Sequence, residues 1–142
     1  MGRIKQSQIT YWCHEIIRSQ AEAGGCYIDA TMGKGNDTLF LCELAGENGK
    51  VLAFDIQQEA LDATRELLRT HGKGQQAELI LDGHEHMGRY AMEESTDVIC
   101  FNFGYLPGGD HKLATTYQTS IEAIGKGLGI LKHGGMMSLC IY

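Results

Sequence analysis

The stretch "DATMGKGNDT", residues 29–38, decides the fold that we predict for this chain. A short apolar segment, "CYI" at 26–28, precedes it, and "LFLCEL" at 39–44, which is able to continue a helix, follows it. Gly33 and Gly35 therefore stand where a strand turns into a helix. Such a turn brings backbone N–H groups and the positive end of the helix dipole close to whatever lies above it. The stretch predicts a ligand-binding loop.

The rest of the chain alternates between the hydrophobic period of strands and that of helices. We predict strands over residues 27–31, 51–54, 78–81, 97–103 and 136–142, and helices over 9–23, 37–45, 57–71, 85–92 and 117–131. Strand–helix alternation with short links is typical of an α/β fold, in which a parallel sheet carries helices on both faces. Ligands of such sheets bind beyond the carboxyl ends of the strands, where the strand order reverses.

Some details of these elements are predicted as well. Asp37 or Asn36 is expected to cap the helix that follows the loop, and Gly46 is expected to close it. The first helix is expected to turn one apolar face inward, made of Ile9, Trp12, Cys13, Ile16 and Ile17. The glycines of the last helix are expected where it packs closely on the sheet, at Gly125, Gly127 and Gly129.

Composition and charge exclude several classes of protein. At 142 residues the chain has the length of one domain, and no run approaches the roughly 20 apolar residues that span a membrane. A net charge of −6 gives no support to a large nucleic-acid surface, although a local basic patch is not excluded. The scattered cysteines form no CxxC pair, which argues against a zinc site or a disulfide framework and fits a reducing cytosol. We expect a cytoplasmic protein without a metal and without a membrane or DNA partner.

Two common phosphate-binding loops do not fit the glycine loop. A P-loop requires GxxxxGK followed by Ser or Thr. Here Gly35 follows Gly33-Lys34, and Ile28 stands where the first glycine of that motif belongs. A dinucleotide loop has a third small residue three positions after its second glycine. Thr38 occupies that position, which argues against NAD or FAD.

S-adenosylmethionine is the third candidate ligand, because it carries a ribose and an adenine but no phosphate. The 33–38 loop offers carbonyls and the Asp37 carboxylate to its ammonium group, and N–H groups to its carboxylate. Asp55 follows Gly33 by 22 residues, close to the spacing at which an acidic residue binds ribose hydroxyls. Each residue also has a plainer interpretation: Asp37 as a helix cap, Asp55 as a turn former, and His84 as a solvated loop residue instead of one bordering the adenine.

Three motifs, "DATMGKGNDTLF", "FDIQ" and "FNFGYLPGGD", resemble those of the class I, Rossmann-like S-adenosylmethionine-dependent methyltransferases. More narrowly, the chain resembles the bacterial family labelled "putative rRNA methylase". Members of that family are understood to methylate the aminomethyl group of the wobble uridine in tRNA, which gives 5-methylaminomethyl-2-thiouridine. Phe103 replaces a Leu of the family pattern, and Lys34 replaces an Asn in its "GNG" loop.

The resemblance also implies more strands than the sequence supplies. The family fold continues beyond the fifth strand with a helix and two further strands. We therefore expect residues 1–142 to form a single methyltransferase domain that is incomplete at its C-terminal end, with the last two strands missing. The strand at 136–142 would then have one unpaired side, and we expect self-association, as a homo-oligomer or an aggregate.

The segment after the fourth strand carries the chemistry that the resemblance implies. Methyltransferases that act on exocyclic amines often have Asn-Pro-Pro-Tyr there, and this chain keeps Asn102 and Tyr105 but neither proline. Asn102 is expected to orient the attacking nitrogen, and Tyr105 to stack on the base. Asp110 and His111 are candidates for the general base that removes the amine proton. The alternative is a strand-end turn followed by a packed loop.

The predicted function is N-methylation of the aminomethyl group of the wobble 2-thiouridine in tRNA, with an RNA partner. The alternatives are a truncated domain that binds S-adenosylmethionine without catalysis, and a methyltransferase acting on rRNA or a small molecule. The residues predicted to contact the cofactor are Gly33, Lys34, Gly35, Asn36, Asp37, Thr38, Asp55, Gln57, Gly83, His84 and Asn102.

Overall fold

The computed structural model describes residues 6–103 and 117–141, and strands alternate with helices throughout them. The elements are α1 Gln6–Gln20, β1 Cys26–Asp29, α2 Asn36–Ala45, β2 Lys50–Asp55, α3 Gln58–Thr70, β3 Ala77–Leu81, β4 Thr96–Phe103, α4 Tyr117–Ile130 and β5 Leu131–Ile141. A short 3₁₀ helix, His84–Arg89, lies between β3 and β4. Among the described residues, no helix is both long and apolar enough to cross a membrane.

The strands form one parallel sheet in the order β3-β2-β1-β4-β5. The chain runs outward from β1 to β3 and then returns to the other side of β1, where Ile28 pairs with Ile99 of β4. The strand order therefore reverses between β1 and β4, and the carboxyl ends of these two strands mark the expected ligand crevice. The predicted α/β architecture is confirmed.

Side chains of alternate strand residues enter hydrophobic cores on both faces of the sheet. The core beneath α1 and α2 contains Tyr27, Leu41, Cys42, Val51, Val98 and Cys100. The core on the opposite face, beneath α4 and the 3₁₀ helix, contains Ile28, Phe54, Met87, Ile99, Phe101 and Ala123. Burial on both faces explains why the strands are nearly continuous apolar runs.

Two helix predictions need correction. Helix α1 ends at Gln20, before the Gly24-Gly25 pair, and only part of its predicted inward face is buried: Ile17 is 1% exposed, whereas Trp12 is 51% exposed. Helix α2 is capped by Gly35 and not by Asn36 or Asp37, which are its first two residues. The prediction that Gly46 closes α2 is confirmed.

Strand β5 begins at Leu131, directly after α4, and not at 136 as predicted. The Gly134-Gly135 pair forms an irregularity inside the strand, between the pairs Thr96–Leu131 and Val98–Met136. Gly134 has a φ of 83°, which suits glycine. Within the described residues, β5 pairs only with β4, so the self-association expected of this edge stays a prediction.

The glycines of α4 do not share one role. A Cβ on Gly127 would lie 2.9 Å from Cε of Met137 and 3.3 Å from Cδ1 of Ile99, so close packing on the sheet is confirmed there. Gly125 and Gly129 are exposed and have open space where a Cβ would stand, so the prediction is wrong for them.

We expect Gly125→Ala and Gly129→Ala each to raise the free energy of unfolding by about 0.5–1 kcal/mol, because alanine loses less backbone entropy in a helix. Gly127→Ala should raise the free energy of unfolding by less, or lower it, since Met137 must move. Urea unfolding of the three variants measures the difference. Equal stabilisation by all three would contradict the packing assigned to Gly127.

Candidate functional site

A buried carboxylate joins the end of β1 to the start of α2. Asp29 is fully buried; its Oδ2 accepts a hydrogen bond of 2.6 Å from the Thr38 hydroxyl, and its Oδ1 accepts one of 3.2 Å from the Thr31 N–H. Burial, reinforced by the nearby charge of Asp37, raises the pKa of Asp29 to about 8. The predicted contact between Thr38 and the cofactor therefore involves no exposed side chain, because Thr38 is itself fully buried.

The glycine loop is held in shape from two other elements. Its Gly33 N–H donates to Oδ2 of Asp55 at the end of β2, at 3.1 Å, and its Gly33 carbonyl accepts from the Thr64 hydroxyl of α3, also at 3.1 Å. Gly35 has a φ of 93°, and a Cβ there would lie 2.9–3.0 Å from atoms of Thr64. Only glycine fits this position without a shift of α3.

Asp55 has acceptor capacity beyond these internal bonds. Its second oxygen, Oδ1, accepts a hydrogen bond of 2.9 Å from the Gln57 N–H, so each oxygen makes one bond. An ionised carboxylate has about four acceptor positions in all. Asp55 is half-buried at the edge of the sheet, and its remaining lone pairs suit a pair of hydroxyl donors.

Asp37 lies in the first turn of α2 and is bound by a residue that the sequence did not single out. Nε2 of His14 in α1 lies 2.6 Å from Oδ1 of Asp37, and the imidazole stacks on Phe40 at 4.1 Å between ring centroids. Helix α1 is thereby attached to the start of α2. This pair could not be predicted from the sequence, because a single His on a helix is usually solvated.

The amino end of α2 faces the same crevice. The first helical hydrogen bond, from residue i to residue i−4, runs from the Leu39 N–H to the Gly35 carbonyl, at 2.8 Å. The N–H groups of Asn36, Asp37 and Thr38 precede that bond, and the first N–H groups of a helix have no acceptor within it. Lys34 and Asn36 are exposed beside them. This end of the helix is suited to a carboxylate.

Asn102 is positioned from β1. Its backbone N–H donates to Oγ1 of Thr31 at 2.7 Å, which fixes the end of β4 against the end of β1. Asn102 is half-buried. No role for Thr31 is predicted from the sequence, because a threonine after a strand gives no local signal of a partner in a distant strand.

The turn after β3 supplies Gly83 and His84. The Gly83 N–H donates to Oδ1 of Asp82 at 2.7 Å, so this donor already has an acceptor. His84 is 4% exposed, and its Nδ1 lies 3.1 Å from the Ala30 carbonyl, so it is not the solvated loop residue of the plainer interpretation. Its role toward the cofactor stays a prediction.

Most of the predicted site residues come together. The loop, Asp55 and Asn102 meet at the carboxyl ends of β2, β1 and β4 through the bonds to Gly33 and Thr31. Tyr105, Asp110 and His111 lie outside the described residues, so the predicted aromatic stack and general base stay predictions. Asp29, His14 and Thr31 are the site residues that sequence reasoning missed.

We expect Gly35→Ala to destabilise the fold by more than about 1–2 kcal/mol, since it combines a left-handed backbone with a clash against Thr64. Gly33→Ala is the matched control, because its φ of 51° is also left-handed but its Cβ would meet nothing closer than 3.9 Å. Thermal melts of both variants test this. A Gly35→Ala variant as stable as Gly33→Ala would contradict the packing described.

Asp29 should make stability depend on pH. The folded-state pKa of about 8 exceeds that of an unfolded Asp, about 3.9. The folded chain therefore binds the proton more tightly, and the free energy of unfolding falls as pH rises between these two values. Melts at about pH 5 and about pH 8 should show this loss in the wild type and less of it in Asp29→Asn. Asp62→Asn, on the exposed face of α3, is the control. If the free energy of unfolding of Asp29→Asn depends on pH as strongly as that of the wild type, the raised pKa of Asp29 is refuted.

Comparison with known protein families adds an independent finding. Residues 51–142 match the family described as "Putative rRNA methylase". A curated relative from Arabidopsis thaliana, named "tRNA (mnm(5)s(2)U34)-methyltransferase, chloroplastic", is 34% identical over 99% of this chain. The chain spans 54% of that relative's length.

Two solved structures share this fold. The structure described as a "putative rRNA-methylase" from Clostridium thermocellum has a TM-score of 0.85 and is 39% identical in sequence. The match covers 96% of this chain and 72% of the Clostridium thermocellum chain. The structure of a "putative methyltransferase" from Streptococcus mutans in complex with SAH has a TM-score of 0.81 and is 36% identical in sequence. The match covers 99% of this chain and 74% of the Streptococcus mutans chain. The parallel sheet described above is therefore the Rossmann-like fold of the class I methyltransferases, and the chain belongs to the rRNA methylase family.

Proposed function

We propose that this chain is an S-adenosylmethionine-dependent methyltransferase that methylates the 5-aminomethyl group of the wobble 2-thiouridine in tRNA. The observation that carries the proposal is the meeting of three groups at the reversal of strand order. These groups are the glycine loop, the Asp55 carboxylate and Asn102, and they are tied together through Gly33 and Thr31. The loop and Asp55 suit a nucleoside with an amino-acid end, and Asn102 suits an amine.

The described residues fit S-adenosylmethionine, which supplies a methyl group on a positively charged sulfur. The spare lone pairs of Asp55 accept hydrogen bonds from the ribose hydroxyls, and the N–H groups at the start of α2 donate hydrogen bonds to the cofactor carboxylate. Asp37 lies in the first turn of α2, directly after the glycine loop, and its carboxylate favours the positive charge of the cofactor. The Streptococcus mutans relative, solved with SAH, supports the same cofactor.

Asn102 acts on the amine. Its side-chain oxygen accepts one N–H of the attacking nitrogen, while the bond from its backbone to Thr31 holds the strand end in place. Positioning of this kind aligns the nitrogen lone pair with the methyl carbon and lowers the entropic part of the barrier. The ring that stacks on the base is Tyr105, and the general base is Asp110 or His111. These three roles are proposed from the sequence alone.

The tRNA substrate is supported by the Arabidopsis thaliana relative, whose name gives the same wobble-uridine chemistry. A second candidate is rRNA, because a relative named "Ribosomal RNA small subunit methyltransferase H" from Streptococcus equi is 28% identical over 68% of this chain. The tRNA candidate is favoured, since its relative matches more of the chain at higher identity. The cytoplasmic location and a homo-oligomer stay predictions, and that Arabidopsis relative is chloroplastic.

Nucleoside mass spectrometry tests the substrate. The purified protein is incubated with S-adenosylmethionine carrying a labelled methyl group and with either tRNA bearing 5-aminomethyl-2-thiouridine or small-subunit rRNA. We expect label in the wobble nucleoside of the tRNA alone. Label only in rRNA would replace the proposed substrate, and cofactor binding without any transfer would favour the binding domain that lacks catalysis.

Asp55→Ala should weaken cofactor binding at least about tenfold, or about 1.4 kcal/mol, because it removes charge-assisted hydrogen bonds to the ribose. Calorimetric titration with S-adenosylhomocysteine measures the affinity. Asp62→Ala, an exposed carboxylate on α3, controls for the loss of charge. If Asp55→Ala binds as tightly as the wild type, the ribose is not at Asp55.

Asn102→Ala should lower turnover at least about tenfold while cofactor affinity stays within about twofold, since the side chain acts on the attacking nitrogen and not on the cofactor. Single-turnover methylation of the tRNA, together with the same calorimetric titration, separates the two effects. Turnover at the wild-type rate would reduce Asn102 to a turn residue.

A further inference from the structure

His84 has a buried acceptor that makes no hydrogen bond. The residue is 4% exposed, and its Nδ1 lies 3.1 Å from the Ala30 carbonyl oxygen, which can only accept a hydrogen bond. The Nδ1 atom must therefore carry the hydrogen, and in a neutral imidazole the other nitrogen is then a bare lone pair. That nitrogen, Nε2, is buried and has no partner among the residues that the structure describes.

The surroundings keep this imidazole neutral. The ring centroid of His84 lies 5.5 Å from that of Phe101 and 6.3 Å from that of Phe103. Burial in these surroundings lowers the pKa of His84, against the opposing influence of Glu85, so Nε2 is an acceptor at neutral pH. A buried acceptor without a partner is costly in a folded protein and usually has a reason.

The imidazole lies where the strand order reverses. Ala30 directly follows β1, and the two phenylalanines flank Asn102 along β4. Neighbouring residues of a strand point to opposite faces, so His84 approaches the ends of β1 and β4 from the face opposite to that of the Asn102 side chain. His84 and Asn102 are thus bound to the neighbouring residues Ala30 and Thr31, at the edge of the sheet where the strand order reverses.

A primary amine presents two N–H donors and one lone pair, so the lone pair has a fixed direction only when both donors are bound. Asn102 provides one acceptor. We propose that Nε2 of His84 accepts the second N–H of the amine that is methylated, which makes His84 a substrate-contacting residue. This inference rests on the proposed function, because it takes the substrate amine and the role of Asn102 from it.

Nitrogen-15 NMR of the histidine side chains tests the acceptor directly. In the wild type we expect His84 to carry its proton on Nδ1 and none on Nε2. Addition of tRNA bearing 5-aminomethyl-2-thiouridine, with S-adenosylhomocysteine present, should shift the Nε2 resonance as a hydrogen bond forms. A proton on Nε2 in the free protein, or an unmoved resonance in the bound state, would overturn the inference.

Two substitutions separate the nitrogens of the ring. His84→Asn places an amide nitrogen near Nδ1, so it keeps the bond to Ala30 but removes the second acceptor. We expect turnover to fall at least about tenfold, with cofactor affinity within about twofold. His84→Gln places an amide oxygen near Nε2 and should recover part of the loss. His71→Asn, exposed at the end of α3, is the matched control and should change neither quantity.

The outcomes distinguish this inference from the proposed function. A wild type that binds cofactor but does not methylate the tRNA overturns the proposed function and this inference with it. An active wild type with an equally active His84→Asn variant overturns the inference alone. Loss of cofactor affinity equal to the loss of turnover also overturns it, since Nε2 would then serve the adenine. If His84→Asn does not fold, the NMR of the wild type decides.

Discussion

The hydrogen bond between the Thr38 hydroxyl and the Asp29 carboxylate is the contact on which the site depends. Both side chains are fully buried, and the bond closes the connection between β1 and α2 directly beneath the glycine loop. The loop above it has few side chains of its own with which to hold a shape. Its position is set from below, by a polar pair that the surrounding core shields from water.

Other elements then complete the constraint. Asp55 at the end of β2 and Thr64 in α3 bind the N–H and the carbonyl of the same residue, Gly33. His14 in α1 holds Asp37, and Thr31 holds the end of β4. Each group that faces the crevice is therefore attached to a strand or helix, which is the arrangement that keeps a binding site accurate.

The periodicity of the sequence and the glycine loop were sufficient to predict the parallel sheet and the edge at which the site lies. Local rules failed where several neighbouring residues satisfied them equally. Asn36 and Asp37 are both good caps, yet Gly35 takes the position because Thr64 crowds it and Asp37 is drawn to His14. The start of β5 was missed because the glycine pair produces an irregularity within the strand.

The partners of the site residues were harder to predict than the residues themselves. Asp55 and Asn102 follow strands, so their location at the sheet edge could be derived from the sequence alone. Thr31 and His14 act through partners 71 and 23 residues away, and a single sequence carries no signal for such pairs. The orientation of the His84 ring likewise follows from packing on β1 and β4, which no local pattern encodes.

The pairing of β1 with β4 also has a consequence for the order in which the chain folds. Strands β1, β2 and β3 are neighbours both in sequence and in the sheet, whereas the bond between the ends of β1 and β4, from Asn102 to Thr31, joins residues 71 apart. Closing such long loops costs entropy before any contact repays it, so non-local pairing of this kind slows folding. The crevice spans that boundary and exists only once β4 has docked. The ability to bind a ligand there would thus appear at the end of folding, after the first three strands have already formed their ladder.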